Sequence, residues 1–309
     1  MLKRWCVLLL FVAMIMLPIS GTGISAAQPE TAPCDLEAEY TDFGNPERVT
    51  IQGYDDHAME PFLTRAGAYL LFNNRNDPST DTNLHWARRI DDLTFEYLGE
   101  IDGVATTDLE GVPTMDSQGT LYFVSTRSYF TTFSTLYTGQ FDEGTVTDVR
   151  LVPGISLETP GIVNFDVEVS ADGTHLYFVD ALFDQNGRPL TADLVIAERQ
   201  ADGFVRLPES VDLLANVNSD ILEYAAAISN DERELFFTRV DFEAVPLESP
   251  KIYRAYRESV DEPFGCPARV TAMDGFVEAA TFSPDEQALY YHKLENQRYV
   301  IYRVTRAAM

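Results

Sequence analysis

Val167 to Phe178 reads VEVSADGTHLYF: an apolar strand, a polar turn, then an aromatic run with strong β character. Ser170-Ala171-Asp172-Gly173 has the chemistry of a tight turn, because an Asp side chain bonds its own backbone and Gly accepts positive φ. Leu176-Tyr177-Phe178-Val179 has the composition of a strand buried on both faces. The same shape recurs at Pro61 to Phe72 (PFLTRAGAYLLF), Pro113 to Val124 (PTMDSQGTLYFV), Ala226 to Phe237 (AAISNDERELFF) and Ala280 to Tyr291 (ATFSPDEQALYY). The turn anchors Gly67, Gly119, Gly173, Glu232 and Glu286 are spaced by 52, 54, 59 and 54 residues.

A third strand follows in each unit: NLHWA from Asn83, TLYT from Thr135, DLVIA from Asp193, KIYRA from Lys251 and VIYRV from Val300. A more polar fourth strand comes next in the first four units, as at Val146 to Leu151 and Arg269 to Ala272. Four antiparallel strands in a repeat of this length form a β-propeller blade. The fifth unit is short of an outer strand, and the N-terminus offers one. Residues 43–50 read FGNPERVT, and residues 264–271, the outer strand of unit four, read FGCPARVT. The expected fold is all-β: a single β-propeller of five four-stranded blades, closed by an N-terminal strand that leaves no sheet edge at the seam.

Ser283-Pro284-Asp285 with Leu289-Tyr290-Tyr291, and Ser170-Ala171-Asp172-Gly173 with Leu176-Tyr177-Phe178, resemble the TolB-type propeller repeat, whose hallmark is a Ser-Pro-Asp-Gly turn before an aromatic strand. The resemblance runs over the whole chain after residue 27, more loosely in units one and two. It implies a periplasmic protein that acts through protein partners. The repeat also occurs in peptidases and lyases, usually beside a catalytic domain, so it speaks to fold more than to activity.

The first residues read as an export signal. Lys3 and Arg4 precede the apolar run Trp5 to Leu17, and Ser25-Ala26-Ala27 supplies small residues for cleavage. The run is shorter than the roughly 18–20 apolar residues of a spanning helix. Residues 1–27 are therefore expected to be removed and residues 28–309 to form the propeller, periplasmic or secreted. The chain carries 22 Lys and Arg against 49 Asp and Glu; without Lys3 and Arg4 its formal charge is −29. Such a balance argues against nucleic acid and anionic membranes and is compatible with a cationic ligand, a basic partner or simple solubility. A monomer is expected. Cys34 and Cys266 remain after processing and are a candidate disulfide in an oxidising compartment.

No Gly-x-Ser-x-Gly elbow or phosphate-binding glycine loop is present. His57, His85, His175 and His292 lack metal spacing. A carboxylate does recur just before each inner strand, at Glu60, Glu110, Asp166, Glu223 and Glu278, with Asp56 and Asp108 nearby. Inner strands line a propeller's central channel, so these acids are expected at one channel mouth. They can serve the repeat as caps, bind a cation such as Ca²⁺, or act as the acid and base of a glycan-active hydrolase or lyase. The loop from Asn73 to Asn83 places oxygen side chains at Asp77, Ser79, Asp81 and Asn83, alternating as in calcium loops but without their glycine and closing glutamate. Trp86 is expected in the core, and Tyr129, Phe130 and Phe133 either form an exposed patch or fold back over the blade. The leading reading is a non-catalytic exported binding protein that uses one propeller face for a protein or small-ligand partner; the glycan-active enzyme is the alternative.

Overall fold

A computed structural model describes residues 34–35, 37–76, 81–185, 187–246 and 248–307. Residues 1–27, read from the sequence as an export signal, lie outside the described residues. Among those described, no helix is long and apolar enough to cross a membrane.

The strands fall into antiparallel groups, each running from an inner strand outward. The first comprises Met59–Leu63, Tyr69–Asn73, Leu84–Arg89 and Thr94–Glu100. The second comprises Glu110–Met115, Thr120–Ser125, Leu136–Asp142 and Thr145–Leu151. Ile162–Val169, His175–Phe183, Pro189–Gln200 and Gly203–Arg206 form the third. Leu222–Ile228, Glu234–Val240, Lys251–Tyr256 and Ala268–Val270 form the fourth, joined to the third by one parallel pairing, Ala192 with Leu222. The last group, Val277–Phe282, Ala288–Glu295 and Arg298–Arg306, takes Phe43–Arg48 as its outer strand. The architecture is a β-propeller.

The core is divided accordingly. One apolar cluster lies between each pair of successive groups, and a cluster of Val49, Leu63, Leu70, Phe72, Tyr290 and Ile301 joins the last group to the first, so the packing closes on itself. Trp86 is half-buried in this scheme, with its ring 5.0 Å from Tyr69 and 6.0 Å from Phe141.

The Ser-x-Asp turns act as their chemistry requires. Ser170 Oγ donates to Asp172, which accepts the Thr174 N–H, while Ser170 Oγ accepts the His175 N–H. The arrangement repeats at Ser229 with Asp231 and at Ser283 with Asp285. The anchor is left-handed throughout, φ +71° at Gly67, +83° at Gly119, +78° at Gly173, +56° at Glu232 and +57° at Glu286. Two glutamates tolerate this φ because each bonds a neighbouring group: Glu232 accepts from the Tyr177 hydroxyl, and Glu286 accepts the Asn230 N–H.

The N-terminal segment does more than complete one group. Glu39–Tyr40 lies parallel to Ala268–Val270, Phe43–Arg48 lies antiparallel to Arg298–Arg306, and Thr50–Gln52 lies parallel to Thr94–Glu100. Fourteen residues thus stitch three successive groups together. A disulfide joins Cys34 to Cys266, with Cα atoms 5.3 Å apart at a sequence separation of 232. Closing so long a loop restricts the unfolded chain, so replacing both cysteines by serine is expected to remove about 2–4 kcal/mol of stability. Urea unfolding of the double variant measures this, and an unchanged midpoint would overturn it.

Candidate functional site

Each inner strand carries a β-bulge. The register shifts between Met59 and Phe62, Gly111 and Thr114, Phe165 and Glu168, Tyr224 and Ala227, and Glu278 and Thr281. At its centre sits a residue with positive φ: Glu60 (+49°), Val112 (+55°), Asp166 (+49°), Ala225 (+53°) and Ala279 (+53°). A bulge frees a backbone N–H from the ladder, and a buried N–H must find another acceptor. A side chain from the adjacent group supplies it in three cases: Asn73 Oδ1 for Val112, Thr238 Oγ1 for Ala279, and His292 Nδ1 for Glu60. At Ala225 the acceptor is the carboxylate of Asp166.

The bulge sorts the expected acids into two sets. Glu110 and Glu223, two positions before it, turn back to hold the loop that precedes their own strand. Glu110 accepts from the Thr106 N–H and hydroxyl, both at 2.8 Å, and Glu223 accepts from the Ser219 N–H at 3.0 Å and hydroxyl at 2.6 Å. Each faces an arginine, Arg127 at 3.2 Å and Arg239 at 2.7 Å. Burial pushes both carboxyls up, against the pull of these donors. Asp56 and Asp108 are exposed, and the Asp56 carboxylate caps the His57 N–H. The seven acids expected at one mouth therefore do not form one ring: four serve turns, loops or solvent.

Glu60, Asp166 and Glu278 lie near enough to act on one another electrostatically. Glu60 and Asp166 are 8% and 6% exposed and line a channel cavity of about 30 Å³ with Pro61, Val112, Pro113 and Glu168. Burial pushes Asp166 up to about 8, with Glu278 adding to the rise. Glu60 is driven upward by burial and then by Asp166 and Glu278. Asn76 Nδ2 donates to Glu60 Oε1 at 3.2 Å, whereas the buried Oε2 has no hydrogen-bond partner. Glu278 differs: its Oε1 accepts from the Tyr224 hydroxyl at 2.5 Å and its Oε2 pairs with His292 Nε2 at 3.1 Å. Because His292 Nδ1 accepts the Glu60 N–H, the imidazole carries its proton on Nε2 and donates it to Glu278. Burial, then Glu278, holds the Tyr224 hydroxyl well above the usual tyrosine range, so it remains a donor. Half-buried Phe165, Tyr224 and Tyr299 surround the acids, with Phe165 and Tyr224 rings 6.3 Å apart and Tyr299 5.3 Å from His292. Glu168 lies further along the channel and is fully engaged: Arg65 donates to Oε1 at 3.0 Å and Thr114 to Oε2 at 2.6 Å.

The raised pKa of Asp166 has a sign for stability. The folded protein holds a proton there that the unfolded chain has lost above about pH 4, so stability falls as pH rises from there toward 8. Asp166→Asn keeps an acceptor for the Ala225 N–H and removes this dependence. The variant is expected to exceed the parent by on the order of a few kcal/mol at pH 7.5 and to match it at pH 4. Denaturant melts at both values check this; a variant no more stable at pH 7.5 would contradict it.

The suggested calcium loop is only partly described. Asp77 and Ser79 lie outside the described residues. The Asp81 carbonyl accepts from Asn74, and Asn83 is buried, its N–H bonded to Asn74 Oδ1. Among the described residues, no three His, Cys, Asp or Glu side chains are grouped to hold a metal ion. Of the aromatic trio, Tyr129 is buried with its hydroxyl donated to the Ile162 carbonyl, Phe133 packs against the core, and Phe130 stays 62% exposed.

No known family profile matches the chain, and no curated protein matches it. Solved structures do share its fold. One described as a glycoside hydrolase superposes with a TM-score of 0.57 at 12% identity, covering 88% of this chain and 93% of its own. The catalytic domain of a GH62 α-L-arabinofuranosidase from Coprinopsis cinerea gives 0.55 at 10% identity, covering 88% and 98%. TolB from Acinetobacter baumannii gives 0.46 at 14% identity, covering 82% and 55%. The first two likenesses support the propeller fold.

Proposed function

We propose that the protein is an exported, non-catalytic binding protein of the TolB type, and that the channel mouth around Glu60, Asp166, Glu278 and Tyr224 takes a small ligand. One observation carries this reading: these side chains depart from the repeat. Glu110 and Glu223 perform the same structural task in two groups, as replicated residues do. At the bulge the residues are Glu, Val, Asp, Ala and Ala. Acids are not needed to build the bulge, and two of them are buried and driven toward their protonated form. The cavity lies directly beside the two buried acids and admits groups at least the size of a water molecule. Thermal-shift screening of small amines, sugars and oligosaccharides against the parent and Tyr224→Phe tests the reading. A ligand that stabilises the parent and fails with the variant supports it; stabilisation indifferent to Tyr224 would move the site elsewhere.

A second reading, a glycan-active hydrolase or lyase, is favoured by the division among the acids. Two carboxyls are pushed upward beside a third that accepts on both oxygens, the separation that distinguishes an acid from a base. Release of reducing ends from polysaccharides, falling at least about 100-fold in Glu278→Gln, would replace the binding reading.

A further inference from the structure

The ligand class can be narrowed, on the premise that the channel mouth is a ligand site. We propose that it receives the primary ammonium group of a small amine, which enters the channel and donates to Glu60 Oε2 and the Asp166 carboxylate while its carbon stem rests against Phe165, Tyr224 and Tyr299.

The argument begins with an acceptor that has no donor. Glu60 is more than nine-tenths buried, lines the cavity, and leaves Oε2 without a hydrogen bond. A buried unpaired acceptor bears its full desolvation penalty. Among the described residues, the influences named on Glu60 and Asp166 are burial, neighbouring acids and one hydrogen bond each, and none is a cation. The nearby arginines, Arg75 and Arg298, act on His57 at the lip, and Arg75 also on Tyr299. A group that supplies both positive charge and hydrogen-bond donors would displace the retained protons, restore the ionised carboxylates and pair the unpaired oxygen together.

Size and geometry then choose among cations. A bare metal needs several oxygens converging on one point, and the described side chains present no such group of three. A quaternary ammonium brings no hydrogen-bond donor for the unpaired Glu60 Oε2. A primary ammonium is about the size of water and carries three donors with no acceptor, complementing a wall of acceptors. The aromatic lip suits its stem, since cations and adjoining methylenes pack favourably on ring faces. The protein's formal charge of −27 concentrates small cations around it.

Calorimetric titration of the purified protein with propylammonium and butane-1,4-diammonium, beside 1-propanol, butane-1,4-diol and tetramethylammonium, tests the inference. Saturable binding is expected for the two ammonium compounds only, weakened at least tenfold in Glu60→Gln and unchanged in Phe130→Ala. Circular dichroism of Glu60→Gln checks that it remains folded, and Asp166→Asn provides a second variant with the same expected loss. Ammonium binding no stronger than that of the matched alcohols, or equal in the parent and both acid variants, overturns the inference. If an oligosaccharide binds instead and depends on Tyr224, the inference fails and the mouth remains a ligand site. If no ligand of either class responds to any mouth substitution, both fail.

Discussion

Deleting residues 40–52 is expected to abolish cooperative folding. The segment contributes Phe43, 3% exposed within the cluster of Phe236 and Phe282, and Val49, 5% exposed between the last group and the first. Full burial of such side chains contributes about 1.5–3 kcal/mol each. Tyr40 adds contacts to the last two groups, accepting from Arg306 at 3.0 Å and lying under Arg254 at 4.7 Å. The backbone of Val49 donates to Ile301 at 2.9 Å and that of Thr50 to Leu93 at 2.8 Å. Removal would also expose the whole edge of Arg298–Arg306, a template for association with other chains. Together these losses rival the total stability of an ordinary domain, about 5–15 kcal/mol. Cys34 lies outside the deletion, so the outcome does not reflect a missing cysteine. Thermal melts followed by circular dichroism are expected to lose their sigmoidal transition, whereas Phe43→Ala should remain folded and lose about 3–5 kcal/mol. An unchanged melting temperature for the deletion would mean that the ring does not need this seam.

The strand order and the closing segment were legible because they rest on repeated local chemistry. FGNPERVT and FGCPARVT place Phe43 and Phe264 alike, and both are buried. The parallel pairings of Glu39–Tyr40 and Thr50–Gln52 were not legible, since two- and three-residue strands leave no periodicity to read. The site was half legible. Counted back from the turn anchors, Glu60, Val112, Asp166, Ala225 and Ala279 all stand seven residues earlier; Glu278 stands at eight and Glu110 and Glu223 at nine. Treating seven to nine as one register merged three different directions, because a step of one residue on a strand reverses the side chain's face and a bulge reverses it again. Strict counting separates them. Tyr224 and Phe165 share the position of Glu278, as do Met59 and Gly111. His292 was harder to find. The equivalent residues are Asn73, Ser125, Val179 and Thr238, and only the bulge explains why Asn, Thr and His can serve alike as acceptors for a displaced N–H.

The two structural acids offer an internal comparison, because one device occurs twice with different burial. Arg239 is 8% exposed at its side chain and Glu223 0%, with Nε donating at 2.7 Å and Nη2 donating to the Val217 carbonyl at 2.8 Å. Arg127 is 21% exposed and meets Glu110, also 0% exposed, at 3.2 Å. Breaking a buried pair by removing one partner leaves the other charge dry and unpaired, at a cost of about 3–5 kcal/mol. Arg239→Ala is expected to reach that range because water cannot reach the space it leaves; both arginines also donate to a backbone carbonyl, of Val217 and Val104, and lie over two aromatic rings, so these contacts do not separate them. Arg127→Ala should cost less, about 1–3 kcal/mol, because water can reach the space it leaves and Ser125 still donates to Glu110 at 2.7 Å. In the Arg239→Ala background, Glu223→Gln should restore part of the loss, as the uncompensated charge is then gone while the Ser219 bonds persist. Urea melts of the three variants measure the ordering. Equal losses at Arg239 and Arg127, or no recovery in the double variant, would show that packing on the aromatic faces, rather than the buried charge, sets the energy of this motif.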